Sequence, residues 1–270
     1  MRDVLDALSL YLRYVAVSIR GQLQYPSSFA MATAGHLVGT GIEFLGILAL
    51  FDRFGALPGW SLAEVAFFYG LADLTFGIAD ALSPGFANFG ALVKSGDFDR
   101  ILLRPRTAVL QLLGQELTLK RIGRMSQGLV VLVWASHSAE IDWTLARGAL
   151  LGATVVGGVC LFLGLVILQA TAAFWTTETL EVWNAFTYGG NYAAQYPLPI
   201  YRPWFRRFFT FVIPLACINY LPGIAILGRA DPLGLPPVAG WLSPLAGVAF
   251  LVAALAAWRV GVRYYMSTGS

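Results

Sequence analysis

Residues 146–175 read ARGALLGATVVGGVCLFLGLVILQATAAFW, a long apolar run with one charged side chain, Arg147. A helix that crosses a membrane needs about 20 mostly apolar residues, because the hydrocarbon core is about 30 Å thick and each residue adds about 1.5 Å. The composition of the whole chain agrees, since 57% of its 270 residues are hydrophobic and only 12% are charged, against about 25% in a soluble domain. We therefore predict an all-α, polytopic membrane protein that forms a single domain over residues 1–270.

Six stretches of the chain are long and apolar enough to be membrane spans. The predicted spans are residues 28–54, 61–82, 122–139, 146–175, 208–227 and 242–258. The third is short and its limits are the least well defined, because Lys120, Arg121 and Arg124 crowd its start. The fifth contains Pro214 and Pro222, which predict kinks within that span.

Residues 1–25, before the first span, have the pattern of an amphipathic helix. The apolar side chains on one helical face are Val4, Leu5, Leu8, Leu12, Val15 and Ile19. Arg13 and Arg20 lie on the opposite face, which favours a helix in the plane of the membrane surface and in contact with lipid. The alternative is that this helix prolongs the first span, but Gln22, Gln24 and Pro26 interrupt the pattern.

The basic residues predict the orientation, because short cytoplasmic loops are enriched in Lys and Arg. With the N-terminus inside, 15 of the 18 Lys and Arg residues fall in inner segments. The other three, Arg53, Arg147 and Arg229, fall in outer segments. Both termini and the long connections 83–121 and 176–207 are therefore predicted to be cytoplasmic, and a partner is expected on that side.

The chain lacks the motifs of an ATPase or of another enzyme. Its two lysines, Lys94 and Lys120, do not occur in the GxxxxGK[ST] loop that holds nucleotide phosphates. His36 and His137 stand alone in the sequence, so no catalytic residue, cofactor site or metal site is predicted. The net charge of +3 is too small to suggest a nucleic-acid partner.

The connection between the second and third predicted spans has a specific pattern. Residues 84–106, PGFANFGALVKSGDFDRILLRPR, are called the coupling segment below. They predict a short helix, a Ser-Gly-Asp turn and a second segment that Pro105 ends. Residues 96–105, GDFDRILLRP, resemble the GxxDxxLLRP signature of bacterial membrane permeases of the second type of ATP-binding-cassette exporter. Residues 196–201 and 211–228 are similar to the fifth-helix region of the same permeases.

This resemblance implies a complex in the bacterial plasma membrane. The complex would contain two permease subunits, identical or related, and two copies of a cytoplasmic ATP-binding-cassette ATPase that binds ATP and Mg. A coupling helix after the second span would dock into the ATPase. The residues assigned to that coupling are Phe86, Phe89, Lys94, Gly96, Asp97, Phe98, Asp99, Arg100 and Arg104. We expect Phe89 to fill a groove of the ATPase; the alternatives are a solvated loop and aromatic rings that pack on the membrane surface.

Four ionisable residues within predicted spans are candidates for a functional role, because burying a charge in lipid costs at least about 2.5 kcal/mol. His36 and Glu43 share one face of the first span, and Asp73 and Asp80 share one face of the second. Either they contact substrate in a pathway or they hold helices or subunits together.

The sequence favours a permease subunit of an ATP-driven exporter, which binds and gates a lipophilic or drug-like substrate while a separate ATPase supplies energy. An ion-driven secondary transporter that uses the intramembrane carboxylates is the main alternative. A membrane enzyme or assembly factor without transport is a third.

Overall fold

The computed structural model describes residues 2–55, 57–115, 121–176 and 180–266, and these ranges are almost wholly α-helical. The helices are α1 (Arg2–Leu23), α2 (Pro26–Phe54), α3 (Leu62–Leu82), α4 (Pro84–Ala87), α5 (Phe89–Lys94), α6 (Asp97–Leu102), α7 (Ala108–Gln115), α8 (Ile122–Ser138), α9 (Leu145–Ala172), α10 (Leu180–Ala194), α11 (Pro203–Phe211), α12 (Leu215–Ile218), α13 (Tyr220–Leu227), α14 (Pro237–Leu242) and α15 (Leu245–Tyr264). A short 3-10 helix covers Leu198–Ile200. The described ranges contain no β-strand, in agreement with the predicted all-α class.

Four helices in the described part of the chain, α2, α3, α9 and α15, are long and apolar enough to cross a membrane. They correspond to the first, second, fourth and sixth predicted spans. Helix α8, which occupies the position of the third predicted span, has 17 residues. The fifth predicted span is not one helix, because the chain bends by 69° between Pro203–Phe211 and Leu215–Leu227.

Helix α3 lies at the centre of the bundle, and the sequence around Ser61 determines where it begins. The Ser61 hydroxyl accepts a hydrogen bond from the Glu64 backbone N–H, and the Glu64 carboxylate accepts one from the Ser61 backbone N–H at 2.8 Å. This capping box satisfies backbone donors that would otherwise be unpaired at the first turn. Beyond it, residues 65–73 are buried without interruption, so α3 has neighbours on every side.

Helices α3 and α8 run antiparallel with their backbones in contact. A Cβ atom added at Gly70 would lie 2.6 Å from the Leu132 nitrogen, and one added at Gly128 would lie 2.7 Å from the Leu74 nitrogen. Real Cβ contacts are longer than this, so both positions require glycine. The close approach ties the short helix α8 to α3.

Helices α9 and α15 run parallel to each other. The residue numbers of the contacting pairs rise together along both helices. Gly157 meets Gly247, Gly164 meets Phe250, and further along Thr171 meets Gly261. Helix α9 is also parallel to α3, where Gly158 packs on Thr75 and, further along, Phe162 on Phe76. Helices α3, α9 and α15 thus run in the same direction.

Helix α10 packs one face against α3 and runs antiparallel to it. The Tyr188 ring packs on Phe76 with centroids 5.3 Å apart, and further along α10 the Asn191 amide donates to Asp73. The sequence analysis treated residues 176–207 as a connection outside the spans, and the structure differs. Four polar residues lower the hydropathy of this helix: Asn184, Thr187, Asn191 and Gln195. Asn191 and Gln195 are buried and point to α3 rather than outward, so this part of the connection packs against the second predicted span.

Candidate functional site

The coupling segment is held to the bundle by its own aromatic side chains. Helix α4 leads into α5 and α6, and Gly96, with φ of 76°, provides the left-handed turn between α5 and α6. Phe89 is fully buried, and its ring centroid lies 4.8 Å from Phe98, 5.1 Å from Phe174 and 4.9 Å from Trp258. We call the following six residues the aromatic cluster: Phe86, Phe89, Phe98, Phe174, Trp258 and Tyr265.

The burial of Phe89 contradicts the expectation that its ring fills a groove in a partner. Phe86 and Phe98 are equally enclosed, which also rules out the solvated-loop and membrane-surface alternatives for these rings in the described conformation. The burial of these rings could not be predicted, because the residues that cover them are far away in sequence. Phe174 follows the end of α9, and Trp258 lies in the second half of α15. The rings join the coupling segment to those two helices.

Polar and apolar side chains on the outside of the coupling segment remain accessible. Lys94 and Arg104 are exposed, and the Arg100 side chain lies 3.3 Å from Asp97 in an ion pair at the surface. Ser95 donates a hydrogen bond of 2.8 Å to the other oxygen of Asp97. Leu103, in the LLRP stretch, is 86% exposed. This surface can contact a partner.

Asp99 and Tyr265 connect the same segment to the end of the last helix. Burial raises the pKa of Tyr265 above its usual value, and the neighbouring Asp99 carboxylate raises it further because it disfavours a second negative charge. Tyr265 also packs edge-on against Phe98 at 5.0 Å. The C-terminal end of α15 is therefore attached to α6 by both polar and apolar contacts.

A buried polar network surrounds Asp73 in the middle of α3. One oxygen of the fully buried Asp73 carboxylate accepts hydrogen bonds from the Asn191 and Gln195 side-chain amides, at 3.0 and 3.1 Å. Near it, the Tyr69 hydroxyl accepts a hydrogen bond from Gln127 on α8 and donates one to the Thr40 backbone oxygen on α2. The network thus links α2, α3, α8 and α10.

Glu43 forms a second polar group on α2. Its carboxylate lies 3.7 Å from the Arg124 guanidinium of α8 and accepts a hydrogen bond of 3.0 Å from the Tyr192 hydroxyl of α10. Glu43 is close enough to Asp73 for the two carboxylates to interact electrostatically. Tyr192 is 45% exposed, so this group lies at the surface of the bundle, unlike Asp73.

The other two predicted intramembrane residues lie apart from these groups. Asp80 forms an ion pair of 2.8 Å with Arg121 near the coupling segment. Both line a cavity of about 400 Å³ that Asn184 and Tyr188 of α10 also line. His36 is half-buried on α2. A Cβ atom added at Gly123 of α8 would lie 3.2 Å from the Cβ atom of His36.

The structure adds site residues that the sequence analysis missed. They are Tyr69, Arg124, Gln127, Asn191, Tyr192 and Gln195. The spacing of Asn184, Thr187, Asn191 and Gln195, by three and then four residues, is the one available signal, since it places four polar side chains on one face of a helix.

The length, apolarity and packing of these helices, with charged groups confined to a few linked clusters, define a multi-pass α-helical membrane protein. A family model described as ABC-2 family transporter protein matches residues 37–269. The chain belongs to this family, as the GDFDRILLRP stretch implied. Comparisons with curated proteins and with solved structures find no match.

Proposed function

We propose that the chain is the permease subunit of an ATP-driven exporter, coupled to a separate cytoplasmic ATPase through the exposed side of the coupling segment. The observation that carries this proposal is the aromatic cluster. It fastens the coupling segment to the ends of α9 and α15, so a force applied to the segment reaches two long helices directly. The ABC-2 family supports the same reading.

In this mechanism the buried rings transmit movement and the exposed residues make the contact. Leu103 is a large apolar side chain that is almost fully accessible, and the charged Lys94 of the same segment is exposed as well. Such a mixture of an apolar anchor and charged neighbours is typical of a protein interface. ATP-driven closure of two ATPase copies would shift the coupling segments and switch the pathway between inward and outward access.

Glu43 supports a location for the substrate pathway and for the second permease subunit. The Glu43 carboxylate is paired with Arg124 and Tyr192 but stays partly accessible at the bundle surface, where it can contact a neighbouring subunit or a substrate. Only 17% of the most apolar stretch of α2 is buried within this chain, so most of its surface is available to a second subunit. We place the second subunit, identical or related, and the pathway for a lipophilic or drug-like substrate against α2 and α10.

The helix directions support a topology with six crossings and both termini in the bacterial cytoplasm. Since α9 and α15 are parallel, the chain between them must return across the membrane, and α10 runs in the required direction. The bent region α11–α13 then lies on the outer side, where Tyr220 packs on Trp60. The outer segments would gain Arg202, Arg206 and Arg207, so the basic skew becomes 12 against six, still in the same direction.

The experiment that tests this function co-expresses the chain with a candidate ATP-binding-cassette ATPase from the same organism and measures substrate-stimulated ATP hydrolysis in vesicles. Leu103→Asp should abolish stimulation by removing the apolar anchor, and Lys94→Glu should weaken it. Arg53→Glu, a charge reversal at an exposed position on the opposite end of the bundle, is the control. If Leu103→Asp and Arg53→Glu both retain full stimulation, the coupling assignment is wrong.

The buried Asp73 carboxylate favours one other function, an ion-driven secondary transporter, because intramembrane carboxylates carry ions in many such proteins. The same vesicles distinguish the two. Transport that continues after ion gradients are collapsed and stops without ATP supports the exporter. The opposite result supports the ion-driven transporter.

A further inference from the structure

A cavity of about 430 Å³ separates the N-terminal helix α1 from the coupling segment. Its described lining includes Tyr14, Asp97, Arg100, Arg104, Gln111 and Gly114. Helix α1 reaches this position because α7 presents a glycine there. A Cβ added at Gly114 would lie 2.7 Å from the Tyr14 ring, so only glycine lets the tyrosine pack so closely.

The charges of the described lining suit a ligand that carries both a phosphate and an ammonium group. Arg100 and Arg104 can hold the anion, and Asp97 can hold the cation. One guanidinium nitrogen of Arg100 lies 3.3 Å from an oxygen of Asp97. The other N–H donors of the guanidinium can bind another acceptor. A phosphodiester carries one negative charge and several acceptor oxygens, and arginine binds phosphate oxygens through paired N–H donors.

Gln111 indicates that the ligand also carries a hydrogen-bond donor. Its side-chain amide nitrogen donates to the backbone oxygens of Ile101 and Arg106, both at 3.0 Å, which fixes the orientation of the amide. Gln111 is only 6% exposed, and its side-chain oxygen is buried with no hydrogen-bond partner among the described residues. Gln111 also lines the cavity. A buried acceptor without a donor costs about 1–3 kcal/mol, so a ligand donor that reaches this oxygen would relieve that cost.

Exposed apolar side chains on α1 and α6, the two helices on either side of the cavity, indicate where such a ligand comes from. Leu12 and Val17 of α1 are 57% and 68% exposed, as expected of a helix that lies on a lipid surface. Leu102, at the end of α6, is also exposed. The cavity therefore opens beside surfaces that suit the inner face of a membrane, where phospholipid headgroups are the most abundant phosphodiesters.

We propose that this cavity binds the headgroup of a phospholipid whose phosphodiester carries a donor group, such as phosphatidylethanolamine. Arg100 and Arg104 hold the phosphate, and the ammonium donates to Gln111 and Asp97. The bound lipid bridges α1 and the coupling segment and so makes coupling depend on the lipid composition. This rests on the proposed placement of the coupling segment at the cytoplasmic membrane surface.

The test measures lipid retained by the purified full-length permease in detergent, by native mass spectrometry, without the ATPase. The variant Arg100→Gln/Arg104→Gln should retain phosphatidylethanolamine at least about tenfold less than the unchanged protein, the weight of one charge-assisted hydrogen bond. The matched control is Lys94→Gln/Arg106→Gln, which removes the same charge from exposed positions that do not line the cavity. The control should retain the lipid.

Three results would overturn the proposal. These are equal retention by the two double variants, equal retention of phosphatidylcholine with the same acyl chains, and displacement of the lipid by micromolar soluble glycerophosphoethanolamine. The second removes the role of the donor group, since choline has no N–H. The third assigns the cavity to a soluble phosphodiester. Because ATP hydrolysis is not measured, failure here leaves the Leu103 coupling test unaffected.

Discussion

Replacing Asp73 with leucine tests whether the buried network holds α10 against α3. The change keeps a side chain of similar size but removes the oxygen that accepts from Asn191 and Gln195. Both amide groups would then lie buried with unsatisfied donors. We expect Asp73→Leu to loosen α10 while the rest of the bundle remains folded.

The size of the effect follows from the two hydrogen bonds. Each unsatisfied buried donor costs about 1–3 kcal/mol, so the pair costs about 2–6 kcal/mol. Asp73→Asn keeps an accepting oxygen and loses only the charge assistance, which about halves the strength of each bond. The asparagine variant should therefore be destabilised by about 1–3 kcal/mol, clearly less than the leucine variant.

The assay is the melting temperature of the purified chain in detergent, measured as a mutant cycle. In the triple variant Asp73→Leu/Asn191→Leu/Gln195→Leu the unsatisfied donors are gone as well. It should recover much of the stability lost in Asp73→Leu, because removing all partners costs less than leaving some unpaired. The melting temperature of Asn191→Leu alone should fall between those of Asp73→Leu and the triple variant.

An unchanged melting temperature in Asp73→Leu would refute the structural role. So would a triple variant less stable than Asp73→Leu, since its loss would come from packing and not from unpaired amides. If Asp73→Asn keeps its stability but changes the response to cationic substrates, Asp73 also faces the pathway.

Three further changes test the packing and the sites. Gly128→Val should lower the free energy of unfolding by about 1–3 kcal/mol or more, as is typical of overpacking, and so lower the melting temperature, whereas Gly152→Val, which has open space, should not; equal effects would contradict the close crossing. Tyr192→Phe removes a hydrogen bond to Glu43 and should alter substrate-stimulated ATP hydrolysis at a cost of about 0.5–1.5 kcal/mol in stability; normal stimulation would exclude a pathway role. Phe89→Ala leaves a cavity that costs about 3–5 kcal/mol of stability. It should also abolish the stimulation of ATP hydrolysis by substrate, and intact stimulation would contradict transmission through the aromatic cluster.

The features predictable from sequence are those with a local cause. Ser61 and Glu64 are three residues apart, so the start of α3 could be read from the chain alone. The long apolar helices α2, α9 and α15 follow from hydropathy, because lipid imposes the same requirement on every residue they expose. The GDFDRILLRP stretch indicated the ABC-2 family, which the family model confirms.

The features that could not be predicted depend on contacts between distant residues. Helix α10 carries polar residues whose partner, Asp73, lies more than 100 positions earlier, so its hydropathy resembles that of a loop. Phe89 resembles a docking residue until Trp258 is seen to cover it. Arg124, which crowds the start of α8, is explained only when Glu43 of α2 lies beside it.

The parallel packing of α9 and α15 has a consequence for how the protein is made. Gly157 and Gly247 touch in the finished fold but lie 90 residues apart in the chain. At about 5–20 residues per second, a ribosome needs about 5–20 s to synthesise that length. During this interval the glycine-lined groove of α9 is already in the bilayer without its final neighbour, so lipid or an insertase must occupy it until α15 arrives.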